Sequence, residues 1–349
     1  MKAFVMKEIG QVGFMDKAVP RPGPGDAVVR TTEALICTSD SHTVKGGIGP
    51  RENLTLGHEA VGVVHEVGSE VRVFQPGDRI LVGAITPDWG SAAAQNGYPS
   101  QSGAPLGGFK FANTKDGVFA EYFHVNEADA NLAKIPDGIS DEVAVYCADM
   151  LSTGLMGAEK GNIPIGGTVA VLAQGPVGLM ATAGARLRGA GLVIGVESVP
   201  SRQKLARIYG ADDVVDFTRE DVIERILDLT RGEGVDTAIE ALGADATFQT
   251  AVKITKPGGT VSNIGYFGEG DFVRIPRVEW GVGMADKTIA TGLCPGGRVR
   301  MQRLLRLLET KRVDPTHMTT HKFRFDEMER AFEVSDQKLD DVVKVLVTF

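Results

Sequence analysis

The chain has 349 residues, 43% hydrophobic and 23% charged, enough apolar material for about two domains and too little charge for disorder. Its net charge of −8 argues against a broad phosphate-binding surface, so nucleic acid is not an expected partner. Three scattered cysteines, Cys37, Cys147 and Cys294, make no disulfide framework and point to a reducing, cytoplasmic setting.

The opening residues carry charges at Lys2, Lys7 and Glu8 without an apolar core, so no secretory leader is read there. Residues 1–151 read as short β-branched runs, at 27–31, 61–67 and 79–82, cut by Gly, Pro and Asp. Phe74-Gln75-Pro76-Gly77-Asp78 is a turn signal, with Pro presetting φ and Gly free to take a positive one. The Gly-, Pro-, Asn- and Ser-rich stretch 86–116 reads as a long excursion.

From residue 152 the texture changes. Apolar runs at 168–173, 192–196, 213–216, 235–239 and 260–264 alternate with helical patterns at 176–189, 200–209, 220–229 and 244–254. That alternation predicts a doubly wound parallel sheet, with a sixth strand at 287–292. The uncharged run 161–185 is long enough to cross a bilayer. Its many Gly and Pro residues suit a buried strand–turn–helix better, and no membrane contact is expected. A basic helix at 297–311 and a closing segment, 326–349, follow. The expected organisation is 1–151, an inserted α/β domain at 152–293, and 294–349 returning to the first domain.

Ala173-Gln174-Gly175-Pro176-Val177-Gly178 falls where a strand becomes a helix, and is a G-x-G-x-x-G motif with Ala in the first position. Gly175 would let the backbone approach a pyrophosphate, and Gly178 would let helix and strand pack closely. The helix N-terminus offers unpaired N–H donors to the anion. Glu197 ends the next strand, where an acid accepts hydrogen bonds from the ribose hydroxyls of NAD and repels the 2′-phosphate of NADP.

Cys37, His58 and Glu59 are candidates for a zinc site, which takes thiolate, imidazole and carboxylate ligands. The H-E-x-x-H pattern of metallohydrolases is absent, since Gly62 stands at its second His. A third ligand is needed, and Cys147 and Asp149 both offer one. On a helix they point about 200° apart, so one metal cannot take both, and spacing alone leaves the choice open.

These residues carry a resemblance. Cys37-x-Ser39-x-x-His42, Gly57-His58-Glu59-x-x-Gly62, Pro76-Gly77-Asp78-Arg79, Ser152-Thr153-Gly154 and Gly175-Pro176-Val177-Gly178 resemble the zinc-dependent medium-chain alcohol dehydrogenases over the whole chain. Ile85-Thr86-Pro87-Asp88-Trp89, Lys115-Asp116-Gly117-Val118-Phe119, Tyr266-Phe267-Gly268-Glu269-Gly270 and Gly292-Leu293-Cys294-Pro295-Gly296-Gly297 are most similar to the bacterial secondary alcohol dehydrogenases. The fold so implied is a Rossmann cofactor domain inserted into a mainly β, GroES-like catalytic domain.

The resemblance implies one catalytic zinc held by Cys37, His58 and Asp149, with Glu59 beside the ligands. Ser39 would hydrogen-bond the substrate oxygen, and His42 would pass the proton onward. Pro176 and Val177 join Gly175 and Gly178 in the cofactor turn. The substrate pocket implied is apolar: Ile85, Phe109, Tyr266, Met284, Leu293 and Cys294, with Phe109 where Trp is expected. Many relatives hold a second, structural zinc with four Cys in the region corresponding to 86–116. That stretch has no Cys here, so only the catalytic ion is expected.

The better-known secondary enzymes use NADP, reading its phosphate with Gly-Ser-Arg and a later Tyr. Here Glu197-Ser198-Val199 and Phe217 occupy those positions, which favours NAD, although Arg202 is near enough to meet a phosphate. The activity implied is interconversion of small secondary alcohols and ketones by hydride transfer, with a homotetramer as the family's usual assembly. The alternatives are an NADP-dependent or an aldehyde- and primary-alcohol-preferring version. A zinc-free quinone or enone reductase and a non-catalytic nucleotide binder fit less well, because Cys37, His58, Ser39 and His42 are all present.

Overall fold

A short hairpin opens the chain. β1 (Lys2–Glu8) pairs antiparallel with β2 (Gln11–Asp16) across Gly10, whose φ of +80° suits glycine. The sequence reading names no strand here, because Ala3, Phe4, Val5 and Met6 are all buried and leave no polar alternation to see. The computed structural model describes residues 1–268 and 270–349. Glu269, part of one of the matched segments, lies outside the described residues.

β3 (Ala27–Ile36), β4 (Leu54–Thr55), β5 (Glu59–Val67), β6 (Arg79–Val82), β7 (Tyr122–Val125) and β8 (Leu132–Lys134) follow. β3 runs five residues past the expected 27–31. It pairs with β5 from Ala27 to Leu35, and the register shifts between Val28 and Val29 and again, past polar Thr32, between Thr31 and Glu33. The turn before β6 forms as expected: Gly77 has φ +93°, and the Asp78 N–H donates to the Gln75 carbonyl at 3.1 Å. The 86–116 excursion contains only short helical pieces, Ala92–Gln95 and Pro99–Gln101.

In the second part of the chain β9 (Thr168–Leu172), β10 (Leu192–Val196), β11 (Asp213–Val215), β12 (Val235–Glu240), β13 (Thr255–Asn263) and β14 (Thr288–Thr291) form one parallel sheet, in the order β11-β10-β9-β12-β13-β14. Helices Pro176–Leu187, Pro200–Ile208, Val222–Leu229 and Asp245–Ile254 connect most of its strands. Both faces are covered. Val169 and Val171 of β9 pack with Ala181 and Ala185 on one side, and Ala170 and Leu172 pack with Ile194 and Val261 on the other. Alternate residues of one apolar strand therefore serve two cores, which is why it reads as a continuous run. This is the doubly wound sheet that the alternation predicts. The uncharged run 161–185 resolves into β9, its turn and the following helix. Among the described residues no helix is long and apolar enough to cross a membrane.

After helix Arg298–Glu309 come β15 (Thr319–Arg324), helix Met328–Asp336 and β16 (Lys344–Thr348). β16 inserts between β15 and β3, giving the order β15-β16-β3-β5-β6-β8. The chain accordingly divides into Met1–Ser152 with Cys294–Phe349, and Thr153–Leu293. The first unit's core gathers Phe4, Phe119, Phe123, Met328 and Phe332, each large apolar side chain contributing about 1.5–3 kcal/mol of burial.

Glu33 of β3 is half-buried near Asp141 and Glu142, and its Oε2 has no hydrogen-bond partner. Burial, then repulsion from those two acids, pushes its carboxyl up to about 7, against weaker pulls from Lys322 and Arg79. The folded state thus holds a proton that the unfolded chain has lost, and stability falls as pH rises from the ordinary Glu value to about 7. Glu33→Gln should be more stable than wild type at pH 8 by about 1–2 kcal/mol, discounted for partial exposure, and nearly equal to it at pH 4. Thermal unfolding at the two pH values checks this.

Candidate metal centre and dinucleotide site

The end of the first sheet assembles the metal candidates. β3 is central there: Leu35 pairs with Glu59 on β5, and Ile36 pairs with Val345 on β16. Cys37, directly after β3, thus comes beside Lys344 on β16, and its sulfur lies within 4.8 Å of the Glu59 carboxylate. Cys37 also caps helix Thr38–Val44, with its N–H donating to Asp40 Oδ2 at 2.9 Å. His58 enters from the Gly57 corner, where φ is +87° and a Cβ would lie 2.3 Å from the Phe119 ring. Glycine there permits both the turn and the close packing.

One ligand atom from each of Cys37, His58, Glu59 and Asp149 lies within 4.8 Å of all the others. His58 Nε2 is 3.5 Å from Asp149 Oδ2 and 3.8 Å from Glu59 Oε1. On its other side His58 Nδ1 lies 3.3 Å from Asp40 Oδ1. A carboxylate there favours the proton on Nδ1 and leaves Nε2 to face the cluster as a donor to metal. Asp40 is itself held, accepting from the N–H groups of Cys37 and Gly57.

Of the two candidates at the third position, Asp149 has its carboxylate in this group and Cys147 does not. Cys147 closes the 3₁₀ turn Val145–Cys147 and is fully buried, and burial drives its thiol well above the usual range. Asp149 follows at the start of helix Met150–Lys160.

The cluster's charges fit a divalent cation. Burial alone would push the His58 imidazole down, yet Asp40, Asp149 and Cys37 outweigh it and hold it well above its ordinary value, so the surroundings favour positive charge at this point. Glu59 is fully buried. Burial raises its carboxyl, Lys344 pulls it down, and the balance lies at about 7. Its Oε1 accepts from Lys344 Nζ at 2.7 Å, while its buried Oε2 has no partner and is available to a cation. Cys37 and Asp149 would formally neutralise a Zn²⁺ ion, and Lys344 already compensates Glu59.

Sequence reasoning missed Lys344 and Asp40. Lys344 is 2% exposed and 285 positions from its partner. A lysine opening the apolar strand Lys344-Val345-Leu346-Val347 was the available signal.

Among the expected catalytic residues, the Ser39 hydroxyl lies 3.2 Å from His58 Nε2, at the mouth of the cluster. His42 is exposed and sits one helical turn beyond Ser39, on the same face. The Phe109 ring meets the His58 ring edge-on at 5.6 Å. Ile85 and Cys294 are buried nearby in sequence-distant loops: the Thr86 N–H donates to the Gly108 carbonyl, and Cys294 Sγ is 4.0 Å from the Ala148 carbonyl. Tyr266 and Met284, at 49% and 78% exposure, and Leu293, partly buried, belong to the second unit.

In that unit, the carboxyl end of β9 lies where the strand order reverses, the usual crevice for ligands in such sheets. Ala173 there has φ +73°, a left-handed conformation that costs a non-glycine residue roughly 1–2 kcal/mol. Gly178 has no room for a side chain, since a Cβ would lie 2.0 Å from the Ala173 carbonyl oxygen. Gly175 differs: its φ of −69° is open to any residue, and an added Cβ would meet nothing within 4 Å. Among the described residues nothing requires glycine there, which leaves the turn open to close approach by a ligand.

Glu197 is 5% exposed, and its carboxylate accepts from the N–H groups of Gln174, Ser198 and Val199. That ties the end of β10 to the glycine turn. Arg202 lies in helix Pro200–Ile208, and Phe217 is 55% exposed just beyond β11.

Known proteins similar to this chain place it in a family. Residues 23–137 match the alcohol dehydrogenase GroES-like domain, and residues 176–310 match the zinc-binding dehydrogenase domain. The NADP-dependent isopropanol dehydrogenase of Thermoanaerobacter brockii is 55% identical over 99% of both chains. The protein so named in Clostridium beijerinckii is 48% identical over 99% of both. The zinc dependent alcohol dehydrogenase 2 structure from Streptococcus pneumonia, an apo form, superposes with a TM-score of 0.91 at 33% identity, covering 100% of this chain and 98% of the other. The chain belongs to the zinc-dependent medium-chain alcohol dehydrogenase family.

Two outcomes test this construction. His58→Ala should reduce bound zinc to a small fraction of the wild-type content, measured by elemental analysis of the dialysed protein. Ala173→Gly should raise the thermal midpoint, gaining up to about 1 kcal/mol, because relief of left-handed strain exceeds the added freedom of the unfolded chain. A fall would contradict the strain argument.

Proposed function

We propose that the chain interconverts small secondary alcohols and ketones by hydride transfer to and from NAD. The observation that carries this reading is the meeting of half-buried Cys37 and Asp149 with buried His58, with the Ser39 hydroxyl beside it. Those three residues would hold zinc. The ion would supply a Lewis acid that lowers the pKa of the alcohol, and the nicotinamide would take up the hydride.

The residues of the chain do the rest. Ser39 is placed to accept the alcohol proton. His42, one turn on and exposed, suits its passage toward solvent because its ordinary pKa lies near neutrality. Asp40 holds the His58 ring in orientation. Glu59, with Lys344 on Oε1 and nothing on Oε2, can approach the ion when water or substrate exchanges. Ile85, Phe109 and Cys294 would supply the first unit's apolar surface for short alkyl groups, and Tyr266, Met284 and Leu293 belong to the second unit.

Preference for NAD rests on the chain's own residues. Glu197 places an acid where the adenosine ribose would lie, and Val199 and Phe217 offer nothing to a phosphate. Gly175, Pro176, Val177 and Gly178 would cradle the pyrophosphate. A second reading, NADP, is favoured by the NADP-dependent relatives, with Arg202 as the cation nearest to where its phosphate would lie. The assembly proposed is a homotetramer, as the resemblance implies, and light scattering checks it.

Initial rates on 2-propanol and acetone with each cofactor test the reading. A higher kcat/KM with NAD is expected, and a clear preference for NADP would replace it by the second reading. Ser39→Ala should keep its zinc but lose about 100- to 1000-fold in kcat, as removal of a positioned proton acceptor does. Unchanged turnover would remove Ser39 from the proposed path.

A further inference from the structure

The edge of the α/β sheet places a second acid beside Glu197. β10 and β11 run parallel with Val196 opposite Val215, so the residues that leave these strands, Glu197 and Asp216, emerge side by side at the carboxyl edge. The Glu197 N–H donates to the Val215 carbonyl at 3.0 Å. Gln203 bridges the pair: its Nε2 donates to the Glu197 carbonyl at 2.8 Å, and its side chain also bonds the Asp216 carboxylate. The sequence pattern absorbed Asp216 into the strand at 213–216. In the structure the strand stops at Val215, and Asp216 turns out of it.

We propose that Asp216 is a second specificity-determining residue, a fixed negative charge that disfavours the 2′-phosphate of NADP next to Glu197. This rests on the reading that places the adenosine ribose at Glu197. The carboxylate does not swing freely: Oδ1 accepts from the Thr218 N–H at 3.0 Å and from its hydroxyl at 2.6 Å. Those bonds lower its pKa, so it stays ionised at neutral pH. Arg219 approaches Oδ2 at 3.5 Å from an 82% exposed side chain, and Arg202 stands on the helix after β10. A solvated arginine neutralises such a charge poorly. A dianionic phosphate within about 8 Å of an extra carboxylate in a partly aqueous setting is disfavoured by about tenfold, and less as salt rises.

The test is the dissociation constants of NADPH and NADH, read by nicotinamide fluorescence, for wild type, Asp216→Asn, Asp216→Ser and Glu197→Gln. Asn keeps an acceptor for Thr218 and removes only the charge. Both Asp216 variants should bind NADPH about tenfold more tightly at low salt and NADH within twofold of wild type, with the NADPH gain shrinking at high salt. Unchanged NADPH affinity, or equal changes for both cofactors, overturns the proposal. The cofactor reading is judged separately: it fails if wild type favours NADPH and Glu197→Gln changes neither constant. The Asp216 variants decide the role of Asp216 in either case.

Discussion

Buried charge is the constraint around which the first unit is organised. Cys37, His58, Glu59, Asp149, Asp40 and Lys344 converge at one end of a sheet, most of them out of water. Unpaired charge in such a place is costly, so each acid must meet a cation or a donor. Lys344 answers Glu59, and backbone N–H groups and the His58 ring answer Asp40. Cys37 and Asp149 share the His58 ring and Lys344 with the other acids of the group, and a divalent cation would complete the balance. Burial explains why these residues hold their places, and the excess of acidic groups over cations fits them to a metal ion.

The sheet topology makes the convergence possible. β16 comes from the far end of the chain and lies against β3, which brings Lys344 alongside Cys37. β5 lies against the other side of β3 and delivers His58 and Glu59. Were β16 to slip by one residue, Lys344 would leave this face and strand Glu59 without compensation. The register of three strands and the chemistry of the site are thus one problem. In the second unit the arrangement is simpler: a reversal of strand order opens a crevice, and one turn, strained at Ala173 and tightly packed at Gly178, presents Gly175 to it.

Much of this was legible in the amino-acid order because it is local. The glycine turn, the Cys37–His42 segment and the Gly57-His58-Glu59 corner each signal their chemistry within a few residues. The alternating strands and helices of residues 168–291 follow from periodicity. The third candidate ligand was less legible. Residues 145–149 pass through a 3₁₀ turn, and helical geometry could exclude a pair of ligands without selecting between Cys147 and Asp149. The buried partners Lys344 and Asp40 were illegible for a different reason. Their role depends on which strands become neighbours, and a pairing 285 residues apart leaves no short-range mark. The first hairpin was missed because its buried residues are contiguous.

The central claim is that the thiolate and imidazole at the end of this sheet bind one metal ion together. Metal-free protein titrated with cobalt(II) reads this directly by absorption. The account predicts saturation at about one ion per chain with an intense thiolate-to-metal band, lost in Cys37→Ser. A titration that saturates without that band, or one that Cys37→Ser leaves unaltered, would contradict it.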